Sequence, residues 1–244
     1  MTRSTIGLAV LLGTAASAHA QIPERFENLQ VLPTDISRDS LVGIMRSFSF
    51  GLGARCVFCH VGEDSPTLAD VDFKSDDRPT KRKAREMLRM VADINETLAD
   101  LPERGSPPIV VRCATCHRGI SRPVPLEDSI YRVVRARNGA GGVAVYDSLR
   151  AVYYGEAAFD FGAGTLVRTA ERLVADGLYE DAVLVLQRNA EAYPRAWNTY
   201  YLLGRSYEGL NRRDDAIAAY RATLERLPNH EPARNRLRAL GVGG

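Results

Sequence analysis

The chain has 244 residues, 45% of them hydrophobic and 25% charged. That is ample for one or two domains with a buried core, and it rules out a chain needing disulfide staples. The formal net charge of +2 is too near neutral for a nucleic-acid binder.

The first twenty residues stand apart. Arg3 gives a positive start, residues 6–16 are apolar, and Ala18-His19-Ala20 is a small-x-small cleavage site. This is a secretory signal cut after Ala20. The alternative, an uncleaved anchor, suffers from an apolar run too short to span a bilayer. Gln21 in place of Cys argues against a lipid anchor. No later stretch is long, apolar and uncharged. The mature chain is therefore expected in the periplasm without a transmembrane segment, at a net charge of about +1 once Arg3 is gone.

Ser37 is placed to cap a helix running to Gly51 or Gly53. Leu41, Ile44, Met45, Phe48 and Leu52 recur at i, i+3, i+4 and i+7, which puts Met45 on the apolar face. RCVFCHVG follows at 55–62, then an acidic stretch at 62–77 that matches no calcium-loop spacing and reads as a solvated connection. The basic run RPTKRKAR (78–85) reads as a solvated helix face, with contact to an anionic group or an acidic partner as the alternative. It opens a helix from near Thr80 to about Leu98. The stripe of that helix is Ala84, Met87, Leu88, Val91, Ile94 and Leu98. Met87 lies near its centre and Met90 about 60–80° to one side. RCATCHRG follows at 112–119, where Gly119 would allow a tight turn.

Pro123 and Pro125 close this region. Residues 126–158 read as two helices around NGAGG (138–142), and FDFGAG (159–164) as a break. An internal repeat follows: GLYEDA (177–182) precedes NRRDDA (211–216) by 34 residues, and Pro194 precedes Pro228 by the same interval. That period with helix-turn-helix texture is tetratricopeptide-like. The copy at 197–230 resembles that family, with Tyr200, Leu203, Gly204, Tyr207, Ala216, Tyr220 and Pro228 at its signature places. The copy at 163–196 keeps Ala182, Leu186 and Pro194 but has Ala170 where the other has Gly204. Residues 231–240 resemble a capping helix. Two repeats alone are too few for stability, so the helices of 126–158 are expected to extend the stack.

All four cysteines fall in two copies of Cys-x-x-Cys-His. In an oxidising compartment, paired disulfides or a tetrathiolate zinc site are alternatives. Neither explains the histidine after each pair, and the interval between the pairs is long for a compact zinc module. Covalent haem explains all three residues: two thiols add to the vinyl groups and the imidazole ligates the iron. Two haems c are expected, on Cys56 and Cys59 and on Cys113 and Cys116, with His60 and His117 as metal ligands. His19 leaves with the signal and His230 lies near the C-terminus, so a second imidazole per iron is disfavoured. Methionine is the other common ligand. Met45 and Met87 are the favoured sulfur donors, with Met90 as the substitute for Met87.

Residues 28–125 resemble the cytochrome subunit of photosynthetic reaction centres, through NLQVLPTDISRDSLVGIMRSF, CVFCH, KAREMLRMVADIN and VRCATCHRG. The resemblance implies that a methionine-bearing helix precedes each motif, pairing Met45 with the haem on Cys56, Cys59 and His60. Met87 pairs likewise with the haem on Cys113, Cys116 and His117. The family's cytochrome has four haems in two tandem units and an extra histidine ligand; this chain has one unit and lacks that histidine. A reaction-centre partner is therefore not implied.

The expected architecture is all-α: signal peptide 1–20, dihaem domain 21–125, helical connector 126–162, and repeats with a cap at 163–244. Methionine closing both irons suits single-electron carriage between redox proteins docked through the repeats, with no catalytic residues. A peroxidase-like dihaem enzyme or a haem-based redox or gas sensor would instead need one iron to open.

Overall fold

The computed structural model describes residues 25–65, 67–102 and 107–243; the signal assigned to residues 1–20 lies outside them. Among the described residues every regular element is helical, apart from one isolated bridge between Val61 and Asp72. No helix among them is long and apolar enough to cross a membrane. The chain divides into two compact units, Met1–Cys116 and His117–Gly244.

In the first unit, α1 (Arg38–Leu52) begins where the Ser37 hydroxyl accepts the Ser40 N–H at 3.2 Å. It ends at Gly53, whose φ of 58° is left-handed. A 3₁₀ turn (Cys56–Phe58) follows at once. The long α2 (Pro79–Ala99) starts with proline in its first turn, where the missing N–H costs nothing. The short α3 (Cys113–His117) straddles the boundary between the units.

This unit has very little ordinary core. Its only buried apolar side chains among the described residues are Leu41 and Val71, and α2 has none over 21 residues. Apolar side chains that a water-soluble fold would cover are exposed instead, Met87 at 42% and Ile109 at 76% among them.

The second unit is built the ordinary way. It contains α4 (Leu126–Ala136), α5 (Gly139–Tyr153), α6 (Ala163–Ala175), α7 (Tyr179–Ala192), α8 (Trp197–Gly209), α9 (Arg213–Arg226) and α10 (Glu231–Ala239). Each helix packs on its successor within the pairs α4/α5, α6/α7, α7/α8, α8/α9 and α9/α10, while α4 packs on α6, and α5 on α7. One core of fully buried side chains runs from Ile130 and Tyr146 through Leu166 and Leu173 to Leu186, so α4 and α5 share it with the helices of the repeat. A smaller cluster of Ala216, Tyr220, Ala233 and Leu237 seats α10.

Close approaches fix this stacking. A Cβ on Gly204 would lie 2.5 Å from the Tyr220 ring, and one on Gly209 2.6 Å from the Tyr179 ring. The Asp181 carboxylate accepts the Gly139 N–H at 2.7 Å, which ties the start of α5 to α7. The stretch 159–162 is a packed corner: Phe161 is buried and meets Tyr146 edge-on at 5.7 Å.

Candidate functional site

The first Cys-x-x-Cys-His folds as a tight coil. The N–H groups of Cys59 and His60 both donate to the Cys56 carbonyl, at 3.1 and 3.0 Å. This turn brings two thiols and an imidazole onto one wall of a cavity of about 640 Å³, within the usual range for small-ligand sites. Met45, Leu41 and Phe48 of α1 line it, with Ala84 and Leu88 of α2 and Val71 and Phe73 of the connecting loop. The i, i+3, i+4 spacing that placed Met45 on the apolar face of α1 thus puts it in the same cavity as Cys56, Cys59 and His60.

His60 sits edge-on to Phe73 with ring centroids 5.0 Å apart. Burial, reinforced by the Lys81 ammonium, lowers its pKa to about 4. The ring is neutral at physiological pH, as a metal-binding imidazole must be. Its Nδ1 is buried and has no hydrogen-bond partner among the described residues. Burial pushes the Cys59 thiol up. All four cysteines are unpaired thiols.

In the basic run at 78–85, Arg78, Arg82 and Lys83 are exposed, whereas Lys81 and Arg85 are sheltered and bonded within the unit. Lys81 donates to the carbonyls of Phe73, Lys74 and Ser75 at 2.8, 3.0 and 2.7 Å. Asp76 pairs with Arg85 at 2.8 Å and with Lys81 at 3.2 Å, and it accepts the Asn28 amide at 2.9 Å. The Arg85 guanidinium holds the Asp76 carboxyl well below the usual carboxylate range. Thr80 bonds the Phe58 carbonyl. The start of α2 therefore clamps both the first motif and the loop of residues 72–76. That loop is fastened too: Asp72 accepts the Lys74 and Ser75 N–H groups at 2.8 and 3.1 Å. Both Lys81 and Arg85 line the cavity.

The second motif is held from two sides. The Asn95 amide of α2 grips the Val111 backbone twice: Val111 N–H donates to Oδ1 at 2.8 Å, and Nδ2 donates to the Val111 carbonyl at 2.9 Å. The end of α1 packs on the start of α3. A Cβ on Gly51 would lie 3.0 Å from the Ala114 nitrogen and 3.3 Å from the Cys113 Cβ. Beyond the motif, Arg118 and Gly119 both take left-handed conformations, with φ of 51° and 85°. The turn brings the Ile120 carbonyl to 3.0 Å from His117 Nδ1.

Met87 and Met90 are both part-exposed and line no part of the cavity described. At 100° per residue, Met87 lies within about 40° of the half-buried Val91, Ile94 and Leu98, about 60° from Ala84, and about 100° and 160° from the cavity-lining Leu88 and Arg85. Met90 lies outside that stripe. The fourth histidine, His230, is accounted for structurally. Its Nδ1 accepts the Ala233 N–H at 3.2 Å to cap α10, and its ring packs against Trp197 and Tyr201.

The cavity suits a flat apolar macrocycle. Its walls are apolar, its thiols sit on a single turn, and a neutral imidazole and a thioether are present. Cationic groups also line it. Matched against family models, residues 12–148 fit that of the photosynthetic reaction centre cytochrome C subunit. The chain belongs to that family. Membership implies covalently bound haem c. Among curated proteins, the chain is 32% identical over 120 residues to the photosynthetic reaction center cytochrome c subunit of Roseobacter denitrificans, covering 48% of this chain and 30% of that protein. It is 37% identical over 92 residues to cytochrome c-554 of Chloroflexus aurantiacus, covering 37% of this chain and 20% of that protein. The chain thus spans under a third of the length of the curated relatives it matches.

Several groups at the site left no readable mark in the sequence. Asn95, Thr80 and the Asp76 cluster act through long-range hydrogen bonds, and Ile120 acts through its carbonyl, which every residue has. Only Gly119 hinted at the turn that delivers it.

Proposed function

We propose that this protein is an exported dihaem c-type cytochrome that passes single electrons between redox partners. One observation carries most of this reading. Met45 comes from a helix ending before the motif, yet it lines the same cavity as Cys56, Cys59 and His60. In this reading Cys56 and Cys59 would hold the first haem, and His60 and Met45 would ligate its iron. Cys113 and Cys116 hold the second, with His117 and Met87. When bound, the haems supply a reversible one-electron couple at iron. The chain's own residues bind, orient and shield that couple. The neutral His60 ring offers its lone pair, and apolar α1 and α2 faces exclude water. The Met45 thioether, as a second ligand beside the His60 imidazole, would raise the potential and leave the iron no free position for exogenous ligands.

The small scale of the first unit supports rapid internal transfer. Gly51, within five residues of Cys56, packs on Cys113 itself. The helices α6 to α9 carry the tetratricopeptide-like signature, and we assign them to docking protein partners. Their close-packed hairpins, with Gly204 against Tyr220, agree with that signature.

The test uses the exported holoprotein. A reduced pyridine haemochrome assay should return two haems c per chain. Met45→Ala should open one iron, so that the ferrous protein binds carbon monoxide at half the haems. Fewer than two haems per chain, or a Met45→Ala variant as closed to carbon monoxide as the parent, refutes the assignment.

A further inference from the structure

Three helices among the described residues carry a side-chain cap at their N-termini. In α1 and α5 the cap is Ser37 or Asn138, whose oxygen accepts a backbone N–H and does not titrate near neutrality. In α10 it is His230, whose Nδ1 accepts the Ala233 N–H at 3.2 Å. That bond needs the Nδ1 lone pair, so it exists only while the imidazole is neutral with its proton on Nε2. The Ala233 N–H also reaches the His230 carbonyl at 3.1 Å, so protonation does not orphan it. Protonation instead sets one N–H against another. It also places a positive charge at the helix end where the backbone dipole is already positive.

The ring has little room to turn away. It packs on Trp197 and Tyr201 of α8, with centroids 4.7 and 4.8 Å apart. The charged groups around it are matched among themselves. On α10, Glu231 pairs with Arg234 at 2.8 Å and lies 3.9 Å from Arg238. On α8, Glu208 pairs with Arg236 at 3.2 Å, and Arg205 is exposed one turn beyond Tyr201. At the end of α9, Arg226 meets Glu225 at 3.5 Å and donates to the Pro194 carbonyl. Burial lowers the His230 pKa.

The helix that this cap starts is lightly seated. Only Ala233 and Leu237 of α10 are buried. A cavity of about 480 Å³ opens beside them, lined by Leu224, Pro228, Glu231, Arg234 and Arg238. The remaining ties are the Arg236–Glu208 pair and a bond from Arg213 to the Leu240 carbonyl.

We propose that His230 is an acid-released latch on α10: the neutral ring holds the helix over Ala216 and Tyr220, and protonation frees it. The latch lies wholly within the second unit and does not depend on the haems. With a depressed folded pKa, its stabilisation is complete above the ordinary imidazole value of about 6.5 and is lost as pH falls through the folded value. Release uncovers Ile217 and Tyr220 at the end of the repeat array, so acidification changes the surface that the array offers.

The experiment is hydrogen exchange of the full-length holoprotein, read by mass spectrometry at about pH 7.5 and about pH 5, above the ordinary carboxylate range of about 4. Rates are corrected for the intrinsic pH dependence of amide exchange. Amides of residues 233–241 should lose protection about fivefold at the lower pH, the scale of a lost cap, while those of α7 hold. His230→Asn keeps an acceptor that does not titrate and should abolish the loss. His230→Ala should be deprotected alike at both pH values. Unchanged α10 protection in the parent, a loss that extends equally to α7, a His230→Asn protein that still responds to acid, or a His230→Ala protein as protected as the parent at about pH 7.5 overturns the proposal.

Discussion

Gly204→Ala should destabilise the C-terminal unit although it replaces a mid-helix glycine. In α8, alanine gains about 1 kcal/mol over glycine in helix propensity. Against this, the new methyl would sit 2.5 Å from Tyr220 Cε1 and 2.7 Å from Cδ1 and Cζ, roughly 1 Å inside ordinary contact. The ring has nowhere to go. Tyr220 is fully buried, and Tyr201, Ala216, Ala233 and Leu237 belong to the same cluster. Overpacking of a rigid aromatic lies at the upper end of the usual range, about 3 kcal/mol. The net is a loss of about 2 kcal/mol, a fall in Tm of about 4–10 °C for a unit of this size. Thermal unfolding followed by far-ultraviolet circular dichroism reads it. Adding Tyr220→Leu removes the clash, so the double variant should lose less than the sum of the singles by at least 1 kcal/mol. A Gly204→Ala protein as stable as the parent, or additive single effects, would refute the close-approach argument.

Acid sensitivity should centre on Asp76. Its folded pKa is depressed, so its stabilisation is present above the ordinary carboxylate pKa of about 4 and is lost as pH falls through the depressed value. Denaturant melts of the first unit should weaken below about pH 4, and Asp76→Asn should flatten that dependence while lowering stability at pH 7. Asn95→Ala removes both side-chain bonds to Val111 and should cost about 1–3 kcal/mol, read as an earlier denaturant midpoint for loss of the second haem's spectrum. Met87→Ala should abolish the weak red-edge absorption of one methionine-ligated ferric haem, whereas Met90→Ala should leave both intact. The opposite pattern would make Met90 the ligand.

Local signals in the sequence were reliable where local physics decides the outcome. The Ser37 cap, the left-handed Gly53 and the Pro79 start bound α1 and α2 within a residue or two of the positions read from the sequence. The 34-residue period marks the α6/α7 and α8/α9 pairs. It also explains why Ala170 tolerates a side chain where Gly204 does not: the register equivalent of Tyr220 is the smaller Leu186. The basic run is exposed at Arg78, Arg82 and Lys83, as read, but the sheltering of Lys81 and Arg85 was not legible because their partners are backbone carbonyls and side chains gathered by the loop. Asp76, Asn28 and the 73–75 carbonyls meet Lys81 and Arg85 only through the fold. The unequal settings of His60 and His117 were equally hidden. They depend on whether the turn after each motif returns a carbonyl to the imidazole, and Val-Gly and Arg-Gly do not spell that difference.

The scarcity of buried apolar side chains in the first unit has a consequence for biogenesis. Leu41 and Val71 cannot offset the conformational entropy of ordering so many residues. On the proposed dihaem reading, porphyrins attached to its thiols would supply the interior that its described residues lack. The translocated polypeptide would then reach the attachment machinery pliable, presenting Cys56, Cys59, Cys113 and Cys116 in an open chain. Its fold would set only as each thioether closes.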